Sequence, residues 1–303
     1  MVIPANKNNK PEAGRNTGFS RSSKRYRKLI SKSLAYLLLI FVGIIMIYPL
    51  LFMFFGTFKE NYEIFGSLKI LPNRFTLEPY IKGWRGSGQY TYTRFYLNTF
   101  LLVIPTVLFT LISSTLVAYG FARFKFKFHG LLFSLMLSTL MLPNTVVIIP
   151  RFILFRSLGW LNSYLPFIVP ALFAANPFFV FMLVQFFRGI PKELDDAASI
   201  DGCNSFRILT DICLPLLKPA LFSAGIFQFI WTWNNFFNAL IYINDVKKYP
   251  ISLALKMSVD VTTGVDWNQV LAMSFLAILP SVIIFFVAQK YFVEGIATTG
   301  LKG

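Results

Sequence analysis

The segment FQFIWTWNNFFNALIYI, residues 227 to 243, carries Trp231, Asn234, Asn235, Asn238 and Tyr242 at the three- and four-residue spacing that lines one side of a helix. Amides beside aromatic rings, with no charge among them, match a hydroxyl-rich neutral solute. The rings cover its C–H faces and the amides exchange hydrogen bonds with its hydroxyls. The alternative use of the same asparagines is to hold helices together in a membrane. A second constellation is acidic: in PKELDDAASIDG, Glu193, Asp195, Asp196 and Asp201 crowd against Ala197 and Ala198. Neither set is a reaction centre, since H-E-x-x-H, G-x-S-x-G and a Ser, His and Asp set are all missing. Cys203, Cys213 and the single His129 cannot supply four zinc ligands. The ending GIATTGLKG imitates a phosphate loop, but Lys302 comes one residue late and no Ser or Thr follows. No covalent chemistry and no cofactor are expected on this chain.

The elements that must position these residues are transmembrane. Of 303 residues, 55% are hydrophobic and 14% charged, too little polar surface to cover a soluble core of this size. Apolar runs long enough to cross a bilayer, roughly 20 residues each, lie near 34–56, 96–121, 130–150, 164–187, 220–243 and 270–288. An all-α integral membrane fold of six spans is predicted. The first run exceeds a signal-peptide core and no small-residue cleavage site follows it, so it is expected to remain as an anchor. The span interiors hold no ionisable side chain, and Arg94, Arg151 and Lys290 are assigned to span ends, where they can reach the interface. That pattern disfavours an ion-coupled carrier, which usually keeps an intramembrane carboxylate or base, although backbone carbonyls can also coordinate a cation. Pro49, Pro105, Pro143, Pro166, Pro170, Pro177 and Pro280 fall at membrane depth and suit a bundle that bends around a path.

The net charge of +16 is weighted toward a basic leader, residues 1–33, which includes Lys24, Arg25, Arg27 and Lys28. Such a leader sets topology and touches anionic lipid rather than nucleic acid. With Arg123, Lys125 and Lys127 in the first inner loop, both termini and the loop 188–218 are expected in the cytoplasm. Both cysteines lie in that loop, where a structural disulfide is not expected.

Within the loop, Pro191 suits a first helical position and Glu193, Asp195 and Asp196 favour the positive end of the dipole, so a short helix is predicted over 191–201. Gly202 should end it. Asn204 or Ser205 can cap a second helix, and Pro215 and Pro219 are expected to break the chain before the fifth span. Leu194, Ala197, Ala198 and Asp201 share a face whose small alanines allow close approach of another surface. A helix of three turns needs such a socket; it is either a plug for another subunit or a loop packed on its own bundle.

Residues 196–219, DAASIDGCNSFRILTDICLPLLKP, resemble the signature loop of ABC importer permeases, with Asp196, Ala197, Ala198, Asp201, Gly202, Ile212, Leu214 and Pro215 on its positions. Asp196 stands where that family has Glu, and Cys203 where it has Ala. WTWNNFF and the ending QKYFVEGIATTGLKG resemble the smaller permease of the carbohydrate, maltose-type branch, and the likeness runs from residue 34 onward. The resemblance implies a permease subunit in a prokaryotic plasma membrane, organised as the leader 1–33 followed by a transmembrane domain, 34–303. By the same resemblance it would pair with a second homologous permease, an extracytoplasmic sugar-binding protein would deliver an oligosaccharide, and a partner ATPase dimer would hold ATP and magnesium. Glu193, Leu194, Asp196, Ala197, Ala198, Asp201, Gly202, Leu214 and Pro215 would form the ATPase-coupling loop. Thr298, Thr299, Gly300 and Lys302 would reach the ATPase interface, and the outer loop 244–267, with Asp245, Lys247, Lys248 and Asp266, would face the binding protein. The rival reading is a self-sufficient carrier or channel for a small neutral polar solute, with Asn234 and Asn238 as its filter.

Overall fold

The computed structural model describes residues 18–67, 69–86, 89–259 and 264–300, with side chains described between 29 and 289. Among the described residues every regular element is helical. The chain divides into two units at Met53 and Phe54. The first is carried by helix α1 (Gly18–Gly56), whose apolar part Leu29–Gly56, 28 residues, is long enough to cross a bilayer.

The second unit opens with two short helices, α2 (Asn61–Gly66) and α3 (Glu78–Arg85), and is then built around the 32-residue helix α4 (Tyr92–Arg123). Thr99, Thr106 and Thr115 are buried on α4, where their hydroxyls donate to the carbonyls of Phe95, Leu102 and Leu111, four residues back, at 2.7, 2.6 and 2.6 Å. These three hydroxyls are thereby carried through an apolar bundle with their donors met, whereas the buried Ser114 hydroxyl on the same helix has no partner among the described residues.

The third expected span, 130–150, is two helices, α5 (His129–Thr139) and α6 (Asn144–Ser157), bent by 100°. Pro143 causes the break: it has no N–H to donate and biases Leu142 away from helical backbone. The fourth run also divides, into α7 (Leu165–Leu172) and α8 (Pro177–Gly189). Ala174 takes a left-handed φ of 51° in the gap, and Asn176 restarts the helix by accepting from Phe178 N at 3.3 Å. The short helix of the loop is α9 (Glu193–Ile200), with Pro191 outside it rather than at its first position.

Helix runs from Ser205 to Trp233 through α10 (Ser205–Arg207), a π-turn at Ile208–Cys213 and α11 (Leu214–Trp233), so Pro215 and Pro219 do not break the chain as expected. The wide turn explains this. Leu214 N donates five residues back to Leu209 O, which shifts the ladder before Pro215 removes a donor at the first turn of α11. The break comes later, at Asn234 and Asn235, before α12 (Phe236–Tyr242), so the expected span 220–243 is displaced toward the N terminus. After α13 (Ile251–Met257), α14 (Trp267–Gly300) contains the expected sixth run and extends past it on both sides. Among the described residues, five helices are long and apolar enough to cross a membrane, or six if the bent α5–α6 pair is one span.

Two cores hold the second unit, and α4 threads both. One gathers Tyr92, Phe95, Val103, Trp233, Ile251, Ala272 and Met273. At its centre Trp233 stacks on Phe229 at 5.2 Å between centroids and donates Nε1–H to Ala277 O at 2.9 Å. The other gathers Ala118 and Tyr119 of α4, Val180, Leu183 and Phe187 of α8, Ala198 of α9, and Leu209, Cys213 and Leu217.

Candidate functional site

Helix α9 is clamped to the bundle on one side and open on the other. Its three acids, Glu193, Asp195 and Asp196, occupy the first turn, where the helix dipole favours negative charge. Asp195 is turned inward and pairs with Arg123 at the end of α4: Nε lies 2.8 Å from Oδ2, with side chains 5% and 17% exposed for Arg123 and Asp195. Both Nη atoms of the same guanidinium donate to Ile190 O at 3.2 Å. Tyr119 Oη donates to Ser205 O at 3.0 Å, so α4 holds the chain on both flanks of α9.

The helix ends in a Schellman motif. Gly202 N donates to Ser199 O at 3.1 Å and Cys203 N to Ala198 O at 2.9 Å, with Gly202 at a φ of 81°. Asn204 then caps the next helix by accepting from Arg207 N at 2.9 Å.

These anchors divide the face expected from the sequence. Ala198 faces the bundle, buried in the second core, while Leu194, Ala197 and Asp201 are exposed together with Glu193 and Asp196. Ile200 and Phe206 are 87% and 67% exposed, which enlarges the apolar outer surface beyond the alanines. Leu214 packs against the second core and Pro215 is exposed at the start of α11. Arg123 is the residue that sequence reasoning missed. It was read as a topology charge, and its partner is 72 positions away, a pairing no local pattern encodes.

The span-five residues do not form one stripe. Helix α11 stops at Trp233, and Asn234 closes it by donating Nδ2–H to Ile230 O at 2.9 Å. Asn235 opens α12 by accepting from Asn238 N at 3.2 Å. Trp231 packs on Phe178, Phe179 and Phe227, away from the asparagines. The structure brings Asn235 and Asn238 to an open cavity of about 630 Å³, which Thr106, Thr110, Gln228, Thr232 and Arg151 also line. Tyr242 sits behind its wall, edge-on to the lining rings of Phe155 and Phe167 at 5.3 and 5.9 Å. Arg151 corrects a second expectation: because the span breaks at Pro143, it lies midway along α6 and faces the cavity instead of ending a helix. Gln228 and Thr232, four apart and linked at 2.8 Å, were legible as a helix-face pair but were overlooked beside the asparagines.

The loop after α12 is tightly built. Asn98 of α4 donates to Lys247 O and Tyr249 O at 2.9 and 3.0 Å, and Thr99 Oγ1 accepts from Ile251 N at 2.8 Å. Asn162 accepts from Asp245 N at 3.0 Å and takes Lys248 Nζ on its carbonyl at 2.8 Å, so Lys248 is a structural tie within this loop. Asp266 accepts from Gln269 Nε2 at 2.9 Å. The side chains of Lys290, Thr298 and Thr299 lie outside those described, as does the whole of Lys302, and Gly300 is the last residue of α14.

Residues 112–298 match the family model described as binding-protein-dependent transport system inner membrane component. The chain is 33% identical to a probable ABC transporter permease protein of Bacillus subtilis over 93% of each chain. It is 34% identical to an arabinooligosaccharide transport system permease protein of Halalkalibacterium halodurans, over 87% of this chain and 94% of that one. In fold it is similar to a chain in the crystal structure of a bacterial ABC transporter involved in the import of the acidic polysaccharide alginate. The TM-score is 0.78 at 24% identity, covering 88% of this chain and 98% of that one. The span-rich helical architecture, the motif around Gly202 and these likenesses converge, and the chain belongs to the binding-protein-dependent inner membrane components, the multi-pass permeases of ABC importers.

Proposed function

We propose that this chain forms half of the path by which an oligosaccharide, delivered by an extracytoplasmic binding protein, crosses the plasma membrane of a prokaryote. The other half comes from a second, similar permease. In this reading both termini are cytoplasmic, residues 1–33 precede the transmembrane domain, and α9 is the coupling helix seated in one subunit of an ATPase dimer. The ATP and magnesium belong to that dimer. The tail from Thr298 to Lys302 adds to the ATPase contact, and the loop 244–267 faces the binding protein. The family description supports a binding-protein partner, and the arabinooligosaccharide relative supports the class of solute.

One observation carries the mechanical part: α9 is fixed to α4 through Arg123 and Asp195 while Leu194, Ala197 and Ile200 stay exposed. A short helix gripped from outside then passes its displacement to α4, and α4 runs through both cores. Closure of the ATPases moves the bundle as a rigid body, and the cavity lined by Asn235, Asn238 and Gln228 opens in turn to each side. The chain supplies shape and hydrogen bonds; the driving reaction takes place elsewhere.

Reconstitution tests this reading. Vesicles holding both permeases, the ATPase dimer and the binding protein are expected to accumulate oligosaccharide only with ATP inside the compartment that the ATPases face. Uptake by this chain without ATPase subunits would contradict it and favour a self-sufficient carrier.

A further inference from the structure

We propose that Arg151 recognises an anionic substituent, a uronate carboxylate or a phosphate, on the saccharide that passes through the cavity. The inference rests on the reading of that cavity as the solute path. Its starting point is an unbalanced charge. Arg151 lies on α6, within a helix pair apolar enough to span the membrane, and lines an open cavity of about 630 Å³. The remaining lining residues are amides, hydroxyls, prolines and apolar side chains, with no Asp or Glu among them. No carboxylate among the described residues pairs with Arg151. Arg151 is exposed; its Nη1 donates to Asn144 Oδ1 at 3.4 Å, long for such a bond, and the Tyr242 hydroxyl is within its reach, which leaves other guanidinium N–H groups open to the cavity.

A guanidinium on a helix pair apolar enough to span a membrane persists where it is paired or where it serves a water-filled route. An oxyanion on the solute supplies the pair, because the planar fork of Arg binds a carboxylate or phosphate through two parallel hydrogen bonds. The surroundings fit a sugar bearing such a group. Asn235 and Asn238 line the cavity beside Arg151 and place amide groups along the same route. Gln228 and Thr232 add donors and acceptors on the same cavity. One cation among neutral hydrogen-bonding groups selects for an anionic position on an otherwise hydroxylated chain.

The test uses the intact transporter, both permeases with the ATPase dimer, in nanodiscs without nucleotide or binding protein. Equilibrium binding is measured by calorimetry for a galacturonate disaccharide, a disaccharide monophosphate and a neutral disaccharide. At least one anionic disaccharide is expected to bind about tenfold more tightly than the neutral one, and which of the two does so names the group. Arg151→Gln is expected to abolish that preference, weakening the anionic disaccharide about tenfold more than the neutral one, and Arg151→Lys to keep a part of it. Equal binding of all three, no measurable binding of either anion, or a preference that survives Arg151→Gln overturns the proposal. Loss of the second permease from the purified Arg151→Gln complex also overturns it, by assigning Arg151 to a pair across the subunit interface. ATP-dependent uptake by the same preparation reports separately on the transport reading, so failure of one is distinguishable from failure of the other.

Discussion

Arg123→Ala is the perturbation with the largest expected consequence for coupling. The guanidinium and the Asp195 carboxylate are 5% and 17% exposed and 2.8 Å apart, too dry to rank with surface pairs worth 0–1 kcal/mol. Removing one partner of a buried pair strands the other charge and costs about 3–5 kcal/mol. Here Ile190 O also loses both of its guanidinium donors. The cost falls on the attachment of α9 to α4, since the second core still holds Ala198 and Cys213. In the reconstituted complex, Arg123→Ala is therefore expected to leave membrane insertion and basal ATP hydrolysis intact and to abolish uptake. Arg123→Lys keeps the charge but cannot serve Asp195 and Ile190 with one rigid fork, so partial uptake is expected. The double variant Arg123→Gln with Asp195→Asn removes both charges and should recover more uptake than Arg123→Ala alone. Wild-type uptake in Arg123→Ala would refute the idea that this pair transmits the movement of α9.

Three further substitutions probe the same architecture. Gly202→Val places a β-branched residue at a φ of 81° with open space around its Cβ, so the penalty is backbone strain of about 1–2 kcal/mol; uptake should fall while hydrolysis persists, and Gly202→Asn should be milder. Ala197→Leu and Ala198→Leu should part company: the exposed site keeps stability within about 0.5 kcal/mol but loses uptake, whereas overpacking the buried site costs about 1–3 kcal/mol of thermal stability. Trp233→Ala removes the ring stacked on Phe229 and the donor to Ala277 O, and is expected to destabilise the bundle by about 3–5 kcal/mol, measured by thermal unfolding in detergent.

The features encoded locally were the legible ones. Apolar runs announced the long helices, and Gly202 and Asn204 announced a helix end and a helix start that the backbone adopts. The asparagine stripe was misjudged for an equally local reason. Asn side chains compete for nearby backbone N–H groups, so Asn235 caps a new helix by accepting from Asn238 N, and the three-and-four spacing spans a break rather than one face. Arg151 was assigned to a span end because the apolar run around it was taken as one helix; Pro143 divides that run and leaves the cation midway along α6. Burial of Ala198 but not Ala197 depends on which way Arg123 rotates α9, a contact between elements far apart in sequence.

The most direct test of the proposed coupling helix is a photo-crosslinking residue placed at position 200, where Ile200 is 87% exposed. In the active, reconstituted transporter the expected product is a covalent adduct with an ATPase subunit whose yield changes when ATP is added. A transporter that remains active while position 200 gives no adduct with the ATPase would contradict the claim that force enters through α9.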